Sequence, residues 1–311
     1  MFENQHAPIL SRVTLNGIVH LDQMYEEKDL EKSSKVGGGV FGEVFSMGNQ
    51  NFLKVVPFGG IGQTTQNDIC SEVRISSILS GCPGFVKLEK SFVFLEDHHR
   101  LQNNFDVMFN PSQLFVGLEY ENCGTDLEKE FVKNPHQALC VFNQVAHTLA
   151  VAEEAWNFEH RDLSLSNILI KETKEEIISF IIDGQTVPVK TGGVKTSISD
   201  FSLSRLQDKE GIVFRDLDDV DKLFLGLDED TIDGDYQYDV YRMMDYNNVK
   251  ENEGDWKKYD PVTNIYWLYY LIRKMTEKFV EYSKDNDLKK LMEIKKVLLG
   301  FKSASEYVKN G

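Results

Sequence analysis

The sequence His160-Arg161-Asp162-Leu163-Ser164-Leu165-Ser166-Asn167 forms a short polar loop between a long helical pattern and an apolar strand at 168–170. Asp162 and Asn167 are five positions apart on this loop and can face one point in space. There the carboxylate of Asp162 can accept a hydroxyl proton, while the amide oxygen of Asn167 reaches a metal ion. The octapeptide alone could match this pattern by chance, so the assignment of these roles depends on the rest of the chain.

Length and composition narrow the class of protein. The chain has 311 residues, which suits two lobes or two modest domains, and its 41% hydrophobic and 27% charged residues are typical of a globular protein. The net charge of −16 argues against direct nucleic-acid binding, which needs a basic face. It favours a basic partner or simply a soluble surface.

The cysteines and the apolar segments indicate the compartment. The four cysteines have the spacing of neither a zinc site nor a disulfide framework. No signal-peptide pattern opens the sequence, and the longest apolar stretch, around 265–272, is too short for a membrane span. We therefore expect an intracellular, soluble protein without a membrane partner.

A glycine-rich loop lies near the start of the chain. Gly37, Gly39 and Gly42 form a Gly-x-Gly-x-x-Gly pattern, in which glycines let the backbone approach phosphate groups closely. We expect this loop to bind ATP, with Val40 and Phe41 at its tip and Val44 against the adenine ring. The same pattern opens dinucleotide-binding folds, but here it continues as a strand and hairpin rather than a helix. That arrangement is typical of protein kinases.

Lys54 lies in the next apolar strand, where it is either a solvent-facing edge lysine or a ligand of the nucleotide phosphates. A phosphate-binding lysine needs a glutamate partner on a nearby helix. The helical pattern at 68–79 offers Glu72, which we prefer to Asp68. An apolar strand at 114–120 then runs into a polar turn, as an interlobe hinge would.

The predicted hinge supplies further nucleotide contacts. Backbone groups of Glu121 and Cys123 would pair with adenine, and Tyr120 would close the back of the pocket. Asp126, just beyond, could reach the ribose or a substrate.

The second half of the chain begins with a helical pattern from Pro135 to Glu159. After the polar loop and a predicted hairpin at 177–190, Asp200 follows a strand. Asp200 would hold Mg²⁺ together with Asn167. Alternatively, it is a strand-end aspartate that caps a turn.

An acidic segment follows Asp200. Residues 216–235 contain nine acidic residues and one basic residue, Lys222, and no Ala-Pro-Glu motif comes after them. A run of charge is usually a solvated face. In a kinase, this segment is where a protein substrate lies, so we favour selection of a basic peptide by charge complementarity.

Several runs of sequence resemble haspin, the family of histone-tail kinases. The resemblance covers roughly residues 35 to 300, and its runs are Gly-Val-Phe-Gly-Glu-Val-Phe at 39–45, Asp-Phe-Ser-Leu-Ser-Arg-Leu at 200–206, Gly-Ile-Val-Phe at 211–214, Gly-Asp-Tyr-Gln-Tyr-Asp-Val-Tyr-Arg at 234–242 and Tyr-Asp-Pro-Val-Thr-Asn-Ile-Tyr-Trp-Leu at 259–268. Haspins are atypical serine/threonine kinases of eukaryotic nuclei that phosphorylate a threonine near the start of the tail of core histone three. They also lack the Ala-Pro-Glu motif.

The resemblance implies specific roles. Asp126, Asp233 and Asp235 would bind the basic histone tail, and Asp239 would start a central helix and brace the catalytic loop. Nuclear localisation, a role in mitosis and a monomeric enzyme are expected on the same ground. The sequence departs from the family at Ser164, where haspins usually have histidine, and at residues 201–202, where they have tyrosine and threonine. These departures affect rate and substrate choice more than activity.

We therefore expect an α+β, bilobal protein-kinase-like fold. Residues 1–34 form an N-terminal extension that packs on the small lobe, 35–120 the β-rich small lobe and 121–311 the mainly helical lobe. The catalytic residues would be Asp162, Lys54, Glu72, Asn167 and Asp200, with ATP and Mg²⁺ as cofactors. The alternative is a kinase-fold protein that binds a basic peptide without transferring phosphate.

Overall fold

The computed structural model describes residue 13 and residues 18–39, 42–47, 51–60, 63–95, 113–218 and 236–311. The predicted loop-tip residues Val40 and Phe41 and the predicted substrate-binding residues Asp233 and Asp235 lie outside the described residues. The chain divides into two compact units. The first contains the described residues up to Ser80 and those of Val86–Asn122, and the second contains Gly81–Phe85 with the rest of the chain from Cys123.

The first unit is built on a six-stranded sheet with the order β1-β5-β6-β4-β3-β2. All neighbouring strands are antiparallel except β1, which runs parallel to β5. The strands are β1 (Ile18–Val19), β2 (Ser34–Gly39), β3 (Gly42–Ser46), β4 (Phe52–Phe58), β5 (Leu88–Leu95) and β6 (Leu114–Tyr120), and the helices are α1 (Leu21–Met24), α2 (Glu27–Glu31) and α3 (Gln66–Leu79).

Apolar clusters pack on both faces of this sheet. Successive side chains of a strand point to opposite faces, and β5 accordingly sends Val93 into one apolar cluster and Phe92 and Phe94 into another. The first cluster includes Ile69 and Val73 of α3. Lys54 of β4 forms an ion pair with this helix, so α3 determines the surroundings of the lysine.

The N-terminal segment covers the second face. Leu21 and Tyr25 belong to the same apolar cluster as Phe92 and Phe94. The hydroxyl group of Tyr25 donates to the buried carboxylate of Glu119 on β6. These contacts anchor the described part of the N-terminal segment to the sheet.

The second unit is mainly helical. Its helices are α4 (Pro135–Trp156), α5 (Gln237–Asn252), α6 (Val262–Lys278), α7 (Asn286–Val297) and α8 (Ala304–Asn310). Its strands form a three-stranded sheet of β7 (Thr125–Asp126), β8 (Ile168–Glu172) and β11 (Val194–Ile198), a hairpin of β9 (Ile177–Ile182) and β10 (Gln185–Lys190), and a hairpin of β12 (Arg205–Asp208) and β13 (Gly211–Phe214). The predicted mixed α and β content, with a β-rich first part and a helical second part, is confirmed.

Helix α4 is the central helix of the second unit. It begins with a cap in which the side chain of Asn134 accepts from the backbone of Gln137, followed by Pro135 in the first turn. It ends at Trp156 rather than at Glu159 as predicted, because Asn157 adopts a left-handed conformation with φ of 47°. Residues 157–159 therefore lie outside the helix and lead into the polar loop.

A buried carboxylate of α4 anchors the last helix. Glu153 accepts from the side chain of Asn264 on α6 at 2.9 Å and from the backbone amides of Ala304 and Ser305 at 3.0 and 2.8 Å. Burial outweighs these hydrogen bonds and raises the pKa of Glu153 to about 7. In the described part of the chain, no helix is long and apolar enough to cross a membrane.

We expect Gly42→Ala to lower the free energy of unfolding by about 1–3 kcal/mol, because the added methyl group meets rigid backbone. A Cβ atom on Gly42 would lie 2.6 Å from the carbonyl oxygen of Val55, whereas one on Gly37 would meet nothing within 4 Å. Gly37→Ala is therefore the matched control and should unfold like the wild type. Urea denaturation compares the two variants, and equal stabilities would contradict the close strand packing at Gly42.

Candidate active site

The polar loop is held between helix α4 and strand β8. Its last three residues, Leu165–Asn167, form a short 3-10 turn that leads into β8. Strand β8 pairs with β11, and the two strands match Ile168 with Ile198. This register brings Ser199 to the loop, where its backbone amide donates to the carbonyl oxygen of Asn167 at 3.0 Å. The structure therefore places Asn167 beside the residue that precedes Asp200.

Asp162 and Asn167 are in direct contact. The side-chain amide nitrogen of Asn167 donates to the carbonyl oxygen of Asp162 at 2.7 Å and approaches its carboxylate Oδ2 at 3.2 Å. A carbonyl oxygen only accepts, so the nitrogen of Asn167 must face Asp162. No group in the described parts of the chain donates to Oδ1 of Asn167, and this oxygen is available as a ligand.

Asp200 is held by a strained turn. Its φ is +60°, and its Oδ1 accepts from the backbone amide of Ser202 at 3.2 Å. The next residue, Phe201, is 1% exposed and packs against Phe158 and His160, with ring centroids 6.3 and 5.9 Å apart. Burial of Phe201 therefore fixes the backbone that carries Asp200.

The donor set suits a hard cation. Mg²⁺ prefers oxygen ligands and usually takes only one or two carboxylates from a protein, filling its other positions with water and phosphate oxygens. The Asp200 carboxylate and the Asn167 amide oxygen fit that pattern. Within the described residues, no group of three or more His, Cys, Asp or Glu side chains forms a metal cage.

A buried ion cluster lies directly before the loop. The carboxylate of Glu159 is fully buried and accepts from Nε and Nη2 of Arg161 at 3.0 and 3.1 Å. Nε of Arg205 is 3.7 Å from the same carboxylate. The backbone amide of Asp260 and the hydroxyl group of Thr263 also donate to it, at 3.0 and 3.1 Å. Glu159 thus supplies a counter-charge for Arg161 inside the fold, and Arg205 lies near the same carboxylate.

Arg161 has a structural role. It adopts a left-handed φ of 67°, is 1% exposed, and donates to the backbone carbonyl of Trp256 at 2.8 Å. The guanidinium group also lies over the Trp256 ring, 5.4 Å from its centroid. The Arg161 side chain is therefore used within the fold.

His160 connects the polar loop to the Asp200 turn. Its Nδ1 accepts from the backbone amide of Asp162 at 3.2 Å, and its Nε2 is 3.0 Å from the carbonyl oxygen of Ser199. These partners require the neutral ring with the proton on Nε2. Complete burial lowers the pKa of His160 to about 4, which keeps the ring neutral near pH 7.

Asp126 has local partners. Its carboxylate accepts from the backbone amide of Lys129 at 2.8 Å and from the Lys129 ammonium group at 2.7 Å. Asp126 is 8% exposed. A basic group of a ligand would compete with Lys129 for this carboxylate.

The first unit contains the predicted lysine–glutamate pair. Nζ of Lys54 donates to Oε1 of Glu72 at 2.6 Å, and both residues are buried. Asp68, the alternative partner, instead accepts from the hydroxyl group of Thr65 at the start of α3. Lys54 is therefore an interior lysine and not an edge lysine in solvent.

The glycine pattern forms a hairpin, as expected. Strands β2 and β3 match Gly37 with Val44 and Gly39 with Gly42. At the end of the sheet, the hydroxyl group of Tyr120 is 3.0 Å from that of Ser76 on α3.

The predicted hinge follows Tyr120 directly. The backbone amide of Glu121 donates to the carbonyl oxygen of Lys87 at 3.0 Å. Its amide is therefore used within the first unit. Cys123 begins the second unit.

The contact that we predicted for Asp239 is wrong. The Asp239 carboxylate is exposed and pairs with Arg242 at 2.7 Å. Tyr241, two residues later on α5, donates its hydroxyl proton to Oδ1 of Asp162 instead. This contact of Tyr241 was not predicted from the sequence. The available signal is that a tyrosine on the buried face of a helix needs a partner for its hydroxyl group.

Comparisons with known proteins find similar sequences over most of the chain. The family model described as Haspin like kinase domain matches residues 4–309. The chain is 31% identical over 329 residues to the serine/threonine-protein kinase haspin of Mus musculus, covering 93% of this chain and 42% of the mouse protein. It is 32% identical over 325 residues to the haspin homolog of Drosophila melanogaster, covering 90% and 56%.

A plant relative has a similar sequence identity to this chain. The chain is 31% identical over 310 residues to the haspin homolog of Arabidopsis thaliana, covering 89% of this chain and 50% of that protein. The chain thus spans about half the length of the curated relatives that it matches.

The neutral state of His160 predicts a pH dependence of stability. A histidine whose pKa is lower in the folded state than in the unfolded state binds its proton preferentially when unfolded. The His160 contribution should therefore fall by about 3 kcal/mol as the pH drops from about 6.5 to about 4.

Urea denaturation of wild type and His160→Gln across this pH range measures that contribution as the difference between their pH dependences. The buried Glu153 titrates in both proteins and cancels in the difference. Parallel curves for the two proteins would show that His160 is not buried as a neutral ring.

Proposed function

This chain belongs to the family of haspin-like kinase domains, and we propose that it is a serine/threonine protein kinase that transfers the γ-phosphate of ATP to a threonine in a basic protein tail. Its β-rich N-terminal sheet and helical C-terminal part are those of a kinase-like fold. The observation that supports the proposal is the hydrogen-bonded link from Asp162 through Asn167 to Ser199, the residue before Asp200. This link joins the segments that carry the proposed base and the two proposed metal ligands.

In the proposed mechanism, each residue acts through an interaction that its surroundings prepare. Asp162 orients the substrate hydroxyl and accepts its proton. Asn167 and Asp200 would hold Mg²⁺, which neutralises phosphate charge when bound. Lys54, oriented by Glu72, would bind the phosphates. Catalysis then depends mainly on alignment and on charge neutralisation.

The nucleotide would be bound mainly by backbone groups. Because the Glu121 amide already donates to Lys87, its carbonyl oxygen is the group left for adenine. Cys123 would add its backbone groups, Tyr120 would close the pocket, and Val44 would lie against the base. The open space beside Gly37 is consistent with close approach of a phosphate.

The acidic segment supports a basic substrate. Its nine acidic residues at 216–235 would attract a tail rich in lysine and arginine. We propose that this tail is that of core histone three, bound by Asp126, Asp233 and Asp235. At Asp126, a basic side chain of the tail would take the place of Lys129. Nuclear localisation and a role in mitosis follow from the same proposal, as does a monomeric enzyme.

A second candidate function is a kinase-fold protein that binds a basic tail without phosphate transfer. Ser164 stands where haspins usually have histidine, and its hydroxyl group is 2.7 Å from that of Ser166. A serine hydroxyl group is uncharged, so neither serine could offset the negative charge of the γ-phosphate as a cationic side chain would. The joint presence of Lys54, Asp162, Asn167 and Asp200 favours catalysis, because a pure binding protein does not require all four.

Transfer of labelled phosphate from ATP to a mixture of core histones tests the proposal. We expect label on histone three, a loss of about 10²–10⁴-fold in Asp162→Asn because the general base is removed, and complete loss in Asp200→Ala. Circular dichroism checks that both variants remain folded. If the protein binds ATP but labels no histone, a basic peptide array is tested next. Absence of label on every peptide of that array would favour the kinase-fold protein that binds without phosphate transfer.

A further inference from the structure

Tyr241 is the one side chain from helix α5 that reaches Asp162 among the described contacts. Its hydroxyl group donates to Oδ1 of Asp162. The second carboxylate oxygen, Oδ2, is 3.2 Å from the side-chain nitrogen of Asn167. The two oxygens of Asp162 are thus fixed by residues from different elements, which defines the plane of the carboxylate.

A third residue supports the direction of this hydrogen bond. The ionised carboxylate of Asp162 can only accept, and the side-chain nitrogen of Gln237, one helical turn earlier, donates to the Tyr241 oxygen at 3.2 Å. Tyr241 therefore donates its own proton to the carboxylate. Burial and the neighbouring Asp162 charge raise the pKa of Tyr241 well above its usual value, so the hydroxyl group is protonated near pH 7.

The phenol ring is held firmly. Tyr241 is 9% exposed, and its ring packs edge-on against Trp267 of α6, with centroids 5.3 Å apart. Trp267 is itself fully buried. The hydroxyl group therefore approaches Asp162 from the interior of the second unit, whereas a substrate approaches from solvent.

We propose that Tyr241 is a positioning residue, which holds the Asp162 carboxylate in the orientation needed to accept the substrate proton. This role rests on the proposed kinase activity. A hydrogen bond to a carboxylate oxygen is strong and directional. Without it, Asp162 would rotate more freely, and its carboxylate would face the substrate hydroxyl group less often.

The test compares Tyr241→Phe with Tyr238→Phe, which removes a hydroxyl group from the same helix. Tyr238 is half-buried and its ring is 6.5 Å from that of Tyr241. With the core histone mixture as substrate, Tyr241→Phe should lower kcat about tenfold and leave KM for ATP unchanged. Tyr238→Phe should behave like the wild type.

A second measurement does not require turnover. The carboxyl carbon resonance of Asp162, identified by its absence in Asp162→Asn, should change its chemical shift at constant pH in Tyr241→Phe and keep it in Tyr238→Phe, because only the first variant loses a hydrogen bond to the carboxylate. If the wild type transfers no phosphate, the proposed function fails, and this resonance still shows whether Tyr241 holds the Asp162 carboxylate. An unchanged resonance in Tyr241→Phe, or a variant that is faster than the wild type because the phenol blocks the base, would overturn the inference.

Discussion

The fully buried carboxylate of Glu159 is the constraint on which the second unit depends. It pairs with Arg161, lies 3.7 Å from Nε of Arg205, and also accepts from the backbone of Asp260 and the hydroxyl group of Thr263. Removing one partner of a buried ion pair typically costs about 3–5 kcal/mol, because the remaining charge is uncompensated. The polar loop, β12 and the start of α6 meet at this carboxylate, which therefore links these three elements.

The geometry of the proposed catalytic residues follows from this cluster. With Arg161 fixed in a left-handed conformation, the chain turns so that Asp162 meets both Asn167 and Tyr241. His160 then connects the same loop to the Asp200 turn through Ser199. In the proposed kinase, buried neighbours would therefore position the reactive groups, and electrostatic preorganisation of this kind is a main source of catalysis in phosphoryl transfer.

The sequence predicted elements whose signals are local. The polar loop, the glycine hairpin and the apolar periodicity of α3 and α4 are each readable within about twenty residues. The helical pattern at 68–79 predicts Glu72 as the partner of Lys54, and in the structure Nζ of Lys54 lies 2.6 Å from Oε1 of Glu72. The role of Tyr241 was not predictable in the same way, because its contact with Asp162 spans 79 residues and depends on how α5 packs. Packing across such separations has no local pattern.

Native-state hydrogen exchange in Glu159→Gln tests the central role of the buried carboxylate most directly. We expect the backbone amides of His160, Ser199 and Arg205 to exchange at least about tenfold faster than in the wild type. The reason is that the polar loop opens locally when the arginines lose their counter-charge. Amides of α7, which lies outside the cluster, should keep their rates. Unchanged exchange at the loop, or uniform acceleration in both places, would contradict the claim that Glu159 holds the catalytic geometry.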